Sequence, residues 1–297
     1  MKRMRRHFCL LTLFLLILPA ASIAENSSDG GSPAFTVVPE LREGFHLLYG
    51  QKFTEAREKF SAWESQNPTE PFGEVAIAAS FLFEEFYRQG VLTSDFFLNE
   101  KKFLKGIDGK PDPNRMKDFQ RAIEQARALA KKRLAKSPND AEALFALTLA
   151  AGMESNADMV LKREHLESLR RLKEANEHAK VLLALQPDAS DAYVALGSAN
   201  YIIGSLSGGT RFLLVFGGIH GDKKLGMVQL GKTVDSGRYL QPFAKILLAL
   251  AARREKQNAL AQKLLRELSD EFPESPLFAA EYAKVMGRPI PAVMKPE

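Results

Sequence analysis

The chain has 297 residues, of which 45% are hydrophobic and 26% are charged, and its formal net charge is +5. This composition is ordinary for a globular protein and argues against a disordered, collagen-like or polytopic membrane chain. A single cysteine, Cys9, excludes a framework of disulfide bonds.

Residues 1–24 have the three parts of a secretory signal peptide. Basic residues precede an apolar run from Phe8 to Leu18, Pro19 ends the run, and small residues lead up to a cleavage site after Ala24. The run is shorter than the roughly 20 residues that a membrane-spanning helix needs. We therefore expect an exported protein, periplasmic or secreted; retention of the segment as an anchor is the alternative.

Most of the basic character belongs to this leader. Removing its four basic residues from the 41 in the chain leaves 37 against 36 acidic residues, so the remaining chain carries a formal charge of +1. We therefore expect no nucleic-acid partner. Residues 25–39 begin with small and polar side chains, which predicts a flexible linker, and residues 287–297 are predicted to be a tail.

From residue 40 onward, apolar residues recur every three or four positions, which predicts helices almost throughout. Four segments share a further spacing, in which a proline follows an alanine by twelve residues and a large–small pair follows nine and ten residues later. The alanine lets two helices approach closely, and the proline ends a helix. The repeat positions singled out are Ala56, Pro68, Ala126, Pro138, Ala175, Pro187, Gly197, Ala261 and Pro273.

This pattern resembles the tetratricopeptide repeat (TPR) family, as an exported, bacterial-type member, with the best matches at 173–201 and 53–71. The resemblance implies an all-α fold. It implies a right-handed α-solenoid of about five TPR-like helix pairs plus a C-terminal capping helix, over residues 40–286. The predicted pairs are 40–50 with 53–66, 70–89 with 113–136, 139–153 with 157–186, 189–204 with 222–235, and 240–254 with 256–272, followed by the capping helix 275–286.

Two stretches, residues 90–112 and 205–221, do not fit this period. Both fall between the first and second helix of a pair, so we expect them to project from the same edge of the solenoid. Insertions on one face of a repeat array often belong to its binding face. The alternative is that they pack as local elaborations of the core.

The resemblance also implies that the first helix of each pair lines a concave surface. An apolar, aromatic groove there suits an amphipathic helix or an extended apolar peptide. The alternative is that these side chains fill the core. The candidate groove residues are Phe72, Leu82, Phe83, Phe145, Met153 and Tyr201.

The segment from Gly226 to Thr233 matches the G-x-x-x-x-G-K-T pattern of phosphate-binding loops. That mechanism needs a buried strand before the first glycine and a long helix after the threonine, and the sequence predicts neither. We interpret Gly226 as the small contact residue of the second helix in the fourth pair, in the role of Ala56. The histidines are isolated from one another. We predict no nucleotide, cofactor or metal site, no catalytic residue and no enzyme activity.

These features favour a non-enzymatic scaffold or adaptor in the cell envelope, which binds a protein or peptide through the concave groove and the insertion edge. The alternative is a small-ligand or lipid-binding or accessory protein whose pocket is closed by the 205–221 insertion. The most apolar run of that insertion is Phe212–Phe216. A peripheral membrane contact through the same run is a third, less favoured hypothesis.

Overall fold

The computed structural model describes residues 37–206 and 220–290. The predicted signal peptide, most of the predicted linker, the apolar run Phe212–Phe216 and the end of the tail lie outside the described residues. The statements about those segments stay predictions.

The described residues form thirteen α-helices and no strand, which confirms the all-α class. None of these helices combines the length and the apolar character that a membrane crossing requires. The helices are α1 Pro39–Tyr49, α2 Phe53–Gln66, α3 Pro71–Arg88, α4 Ser94–Leu98, α5 Glu100–Lys105, α6 Pro113–Lys136, α7 Ala141–Ala157, α8 His165–Leu185, α9 Tyr193–Ser205, α10 Lys223–Ser236, α11 Gln241–Arg254, α12 Asn258–Glu271 and α13 Pro276–Met286.

Local chemistry explains where many of these helices begin and end. Proline occupies one of the first two positions of α1, α3, α6, α11 and α13, where its missing N–H costs little. The Asp112, Asp140 and Asp222 carboxylates accept backbone N–H bonds in the first turns of α6, α7 and α10. The four repeat prolines each lie two residues beyond the end of a helix, namely α2, α6, α8 and α12.

Each predicted first helix packs on its predicted second helix: α1 on α2, α3 on α6, α7 on α8, α9 on α10 and α11 on α12, with α13 on α12. The largest error in the predicted bounds concerns α8, which was expected from residue 157 and begins at His165. A π-helical turn over Asp158–Lys162 prolongs α7 instead. Arg163 then adopts a left-handed φ of 63°, which reverses the chain.

The repeat alanines lie at the centres of these pairs, since all four are at most 1% exposed. One close approach of two helix backbones joins α9 to α10. A Cβ placed on Gly226 would lie 2.6 Å from the Tyr201 backbone N and 2.7 Å from the Gly197 carbonyl oxygen. Backbone therefore meets backbone at this crossing, which only glycine permits.

The first helix also packs beside the last pairs. The backbone N–H of Val38 donates to the Tyr239 hydroxyl at 2.8 Å, and the Tyr49 hydroxyl donates to the Tyr239 carbonyl at 3.1 Å. The His46 ring stacks on Phe272 with 4.7 Å between centroids. Residues about 200 positions apart therefore share one core.

Candidate functional site: the insertion edge

The six side chains predicted to line a concave groove lie in the core of this fold. Leu82 and Phe145 are completely buried, and Met153 and Tyr201 are 8% and 9% exposed. Phe72 and Phe83 are half-buried and pack against the core. Their burial agrees with the alternative of core packing, and the groove interpretation stays a prediction.

Aromatic rings from distant helix pairs occupy the space where the groove was expected. The Phe72 ring centroid lies 5.8 Å from that of Phe45, 5.4 Å from that of Phe145 and 5.1 Å from that of Tyr239. These are ordinary separations for packed aromatic pairs. This space is thus filled by side chains from α1, α3, α7 and the loop before α11.

A set of polar side chains meets at the edge where both insertions leave their helix pairs, which we call the insertion edge. It is formed by α4 and α5, the end of α9, the start of α10, the end of α11, and α13. The Arg254 guanidinium, at the end of α11, lies 3.9 Å from the Glu100 carboxylate and 3.4 Å from the Ser205 carbonyl oxygen. The described parts of the two insertions therefore converge on one helix end.

The first insertion is fixed there by contacts that cross from pair two to pair five and the last helix. The Ser94 backbone N–H donates to the Glu281 carboxylate at 3.2 Å, and the Ser94 hydroxyl bonds the Arg253 guanidinium. The Asp95 carboxylate lies 2.8 Å from the Lys284 ammonium. Ser94 and Glu281 are 3% and 6% exposed, so these polar contacts are largely shielded from water.

Two carboxylates at this edge, Asp95 and Glu255, are held in their charged forms by neighbouring lysines. The hydrogen bond from Lys284 holds the pKa of Asp95 below its usual value, and the hydrogen bond from Lys223 does the same for the pKa of Glu255. Burial raises the pKa of Tyr201 to about 12, and its hydroxyl donates to Glu255 at 3.2 Å. Fixed charges of this kind suit recognition of a charged partner better than proton transfer, which needs a pKa near the working pH.

Beside these ion pairs, the surface carries an open depression of about 760 Å³. In the same insertion the rings of Phe96, Phe97 and Phe103 pack on one another with centroids 5.3 to 6.3 Å apart. These three aromatic residues explain how so short an insertion holds a defined surface. The depression is lined by Asp95, Leu98, Asn99, Glu100, Lys101 and Lys102.

The segment that matches a phosphate-binding loop lies wholly within α10. The Gly226 N–H bonds the Asp222 carbonyl at 2.8 Å as part of the helix. The Lys232 ammonium lies 4.1 Å from the Tyr193 ring centroid, and the Thr233 hydroxyl donates to the Ser190 carbonyl at 2.6 Å. The segment therefore forms no cradle of free N–H groups, and Gly226 occupies the helix-contact position that we interpreted for it.

The histidines are spread over the described part of the chain, where no three His, Cys, Asp or Glu side chains are grouped to hold a metal ion. His165 and His220 are exposed. His178 is half-buried, and burial lowers its pKa although Glu174 lies 3.9 Å away.

Comparison with models of protein families gives no match for this chain, and comparison with curated proteins gives none either.

Sequence reasoning marked residues 90–112 as an insertion but missed the residues that receive it. Arg253, Glu281 and Lys284 meet Ser94 and Asp95 across separations of 159 to 189 residues. Charged side chains near helix ends are common on any solvated surface, so no local pattern distinguishes these three.

Proposed function

We propose that the protein is a non-enzymatic scaffold or adaptor, exported to the cell envelope, that binds a protein or peptide partner through the insertion edge. Its helix pairs build a TPR-like, right-handed α-solenoid of five pairs closed by a capping helix. The observation that carries the proposal is that the described parts of the two insertions converge on the end of α11, beside an open depression. Loops placed on a rigid helical frame are where repeat proteins carry their binding residues.

The chemistry of the edge supports this choice of surface over the inner wall. The inner aromatic side chains are already packed against one another, so they have little area left to give a partner. Lys101 and Lys102, by contrast, are exposed at the rim of the depression. Since Asp95 and Glu100 line the same depression, it carries charges of both signs and favours a polar partner segment with complementary charges.

Photo-crosslinking in cells tests the proposed surface. A photoreactive amino acid replaces Lys102 at the edge or, as the control, Lys131, an exposed lysine of α6. We expect the probe at residue 102 to give discrete adducts with an envelope protein, which disappear when excess unlabelled protein competes. Identical adducts from residues 102 and 131 would contradict the proposal.

The proposed location has a separate test. Cleavage of the predicted signal peptide would leave a mature chain that starts at Glu25. We expect N-terminal sequencing of protein recovered from an envelope fraction to begin there. Recovery of the intact N-terminus in the membrane pellet would favour the retained anchor instead.

The alternative function, a small-ligand or lipid carrier, depends on the 205–221 insertion, whose apolar run lies outside the described residues. Native mass spectrometry of freshly purified protein separates the two. A bound species lost on substitution Phe212→Asp would favour the carrier, and an apo mass would favour the scaffold.

A further inference from the structure

The first insertion has a base that is closed independently of its tip. The Gln89 side-chain amide donates to the Lys110 carbonyl at 2.9 Å, which ties the two ends of the insertion together. The buried Glu85 carboxylate accepts from the Arg115 guanidinium at 2.8 Å and from the Asp112 backbone N–H at 3.3 Å. The hairpin of α3 and α6 is thus held by its own contacts. These contacts close the base of the insertion without using Ser94 or Asp95.

We call the tip, residues 91–105, the strap. Its two flanking residues are Gly90 and Gly106, with φ of 69° and 73°, a region that favours glycine. A Cβ on Gly106 would lie 2.5 Å from the Val160 carbonyl oxygen, so the second of these positions also requires glycine for space. Left-handed glycines at both ends are suited to act as pivots for the strap.

The strap is held in two ways: Val91 and Phe96 are buried in the hydrophobic core, and Ser94 and Asp95 make polar contacts with the far side of the fold. Ser94 and Asp95 contact Arg253, Glu281 and Lys284, which belong to α11 and α13. The Arg253 and Lys284 side chains are 21% and 17% exposed, so this receiving surface is well shielded from water. α4 itself is only five residues long, and a helix of that length has little stability of its own. The receiving surface therefore holds Ser94 and Asp95 in place beside the buried Phe96.

We propose that Arg253, Glu281 and Lys284 form a docking site for a short Ser-Asp-aromatic segment, which the strap fills within its own chain and a partner segment of the same chemistry can fill in its place. The proposal rests on the proposed scaffold function, because it names the kind of partner that the insertion edge accepts. The contacts of the strap indicate which groups the occupant needs. A backbone N–H donates to Glu281, a hydroxyl bonds Arg253, and a carboxylate pairs with Lys284. A partner that carries these groups replaces each contact one for one.

A peptide that copies the strap tests this directly. A fluorescein-labelled peptide of residues 91–105 is titrated with the purified full chain and followed by fluorescence anisotropy. Asp95→Ala removes the ion pair to Lys284 and weakens the bound strap. Asp108→Ala is the matched control, because Asp108 is an exposed aspartate of the same insertion that pairs locally with Lys105. We expect at least tenfold tighter peptide binding to Asp95→Ala than to the wild type or to Asp108→Ala.

Charge reversal checks that the peptide occupies the proposed site. Lys284→Glu, introduced into the Asp95→Ala chain, should abolish binding of the native peptide. A peptide with lysine in place of Asp95 should then bind again. Equal binding by the Asp95→Ala and Asp108→Ala chains, or binding that Lys284→Glu leaves unchanged, would overturn the proposal.

Hydrogen exchange gives an independent readout that needs no peptide. In Asp95→Ala, we expect the strap amides to exchange at least tenfold faster than in the wild type, while α3 and α6 keep their protection. Unchanged exchange in the strap, or equal acceleration throughout α3 and α6, would overturn the proposal, because the strap would then be no separable occupant. Neither assay uses an envelope partner, so their failure is distinguishable from failure of the crosslinking that tests the scaffold function.

Discussion

Two glycines of α10, five residues apart, should respond to alanine with opposite signs. At Gly226 a new Cβ would meet the Tyr201 backbone N at 2.6 Å and the Gly197 carbonyl oxygen at 2.7 Å. These are backbone atoms, which cannot rotate away as the end of a side chain can. At Gly231 no described atom lies within 4 Å of the added Cβ.

The magnitudes follow from two opposing effects. Overpacking at Gly226 costs about 3 kcal/mol, and the better helix propensity of alanine returns about 1 kcal/mol. We therefore expect Gly226→Ala to lower the free energy of unfolding by about 2 kcal/mol. Only the propensity gain applies at Gly231, so Gly231→Ala should raise it by about 1 kcal/mol.

Urea unfolding followed by circular dichroism measures both changes. With a slope of about 3 kcal/mol per molar urea, Gly226→Ala should move the midpoint down by about 0.7 M, and Gly231→Ala should move it up by about half as much. A higher midpoint for both variants would refute the reasoning, because it would mean that α9 and α10 do not approach backbone to backbone at Gly226.

Three further outcomes concern buried charge. Asp191→Ala removes the carboxylate that accepts the backbone N–H groups of residues 238–240. It should therefore lower the free energy of unfolding in urea by about 3 kcal/mol. The control, Asp188→Ala at an exposed aspartate, should lower it by less than about 0.5 kcal/mol. Burial raises the pKa of Glu85, but hydrogen bonds from neighbouring side chains outweigh burial and leave that pKa below 4.5. Its stabilisation is therefore present above pH 4.5 and lost as the pH falls, and Glu85→Gln should flatten the acid limb of a urea-midpoint profile. Burial lowers the pKa of His178 below 6.5, so stability should fall as the pH drops through this region, and His178→Gln should reduce the difference in midpoint between pH 7.5 and pH 5.5.

The helices were predictable because their determinants are local. The three-to-four residue periodicity, the prolines that follow α2, α6, α8 and α12, and the small residue Gly226 all act within a few turns of the chain. The start of α8 was missed because the π-helical turn at Asp158–Lys162 has no comparable local signature.

The candidate site was predictable only in part. The break in the repeat period located the insertions, but it carried no information on what they contact. An aromatic stripe on a first helix has the same spacing whether it faces a groove or a distant pair, so the sequence could not choose between the two interpretations. Phe72 faces Phe45 and Tyr239, and the latter lies 167 positions further along the chain, beyond the reach of any local pattern.

The meeting of the first and last pairs bears on where partners bind. A repeat array normally leaves a terminal face at each end, which must be capped to stay soluble. Here the first pair meets the last elements directly, through His46 on Phe272 and an ion pair of 2.6 Å between Lys52 and Glu274. Because the described first and last helices pack on each other, the proposed scaffold function places partner recognition at the outer edges. Among these, the insertion edge combines shielded charge, an open depression and a segment with its own pivots, and we therefore expect substitutions there, rather than in the aromatic core, to separate binding from stability.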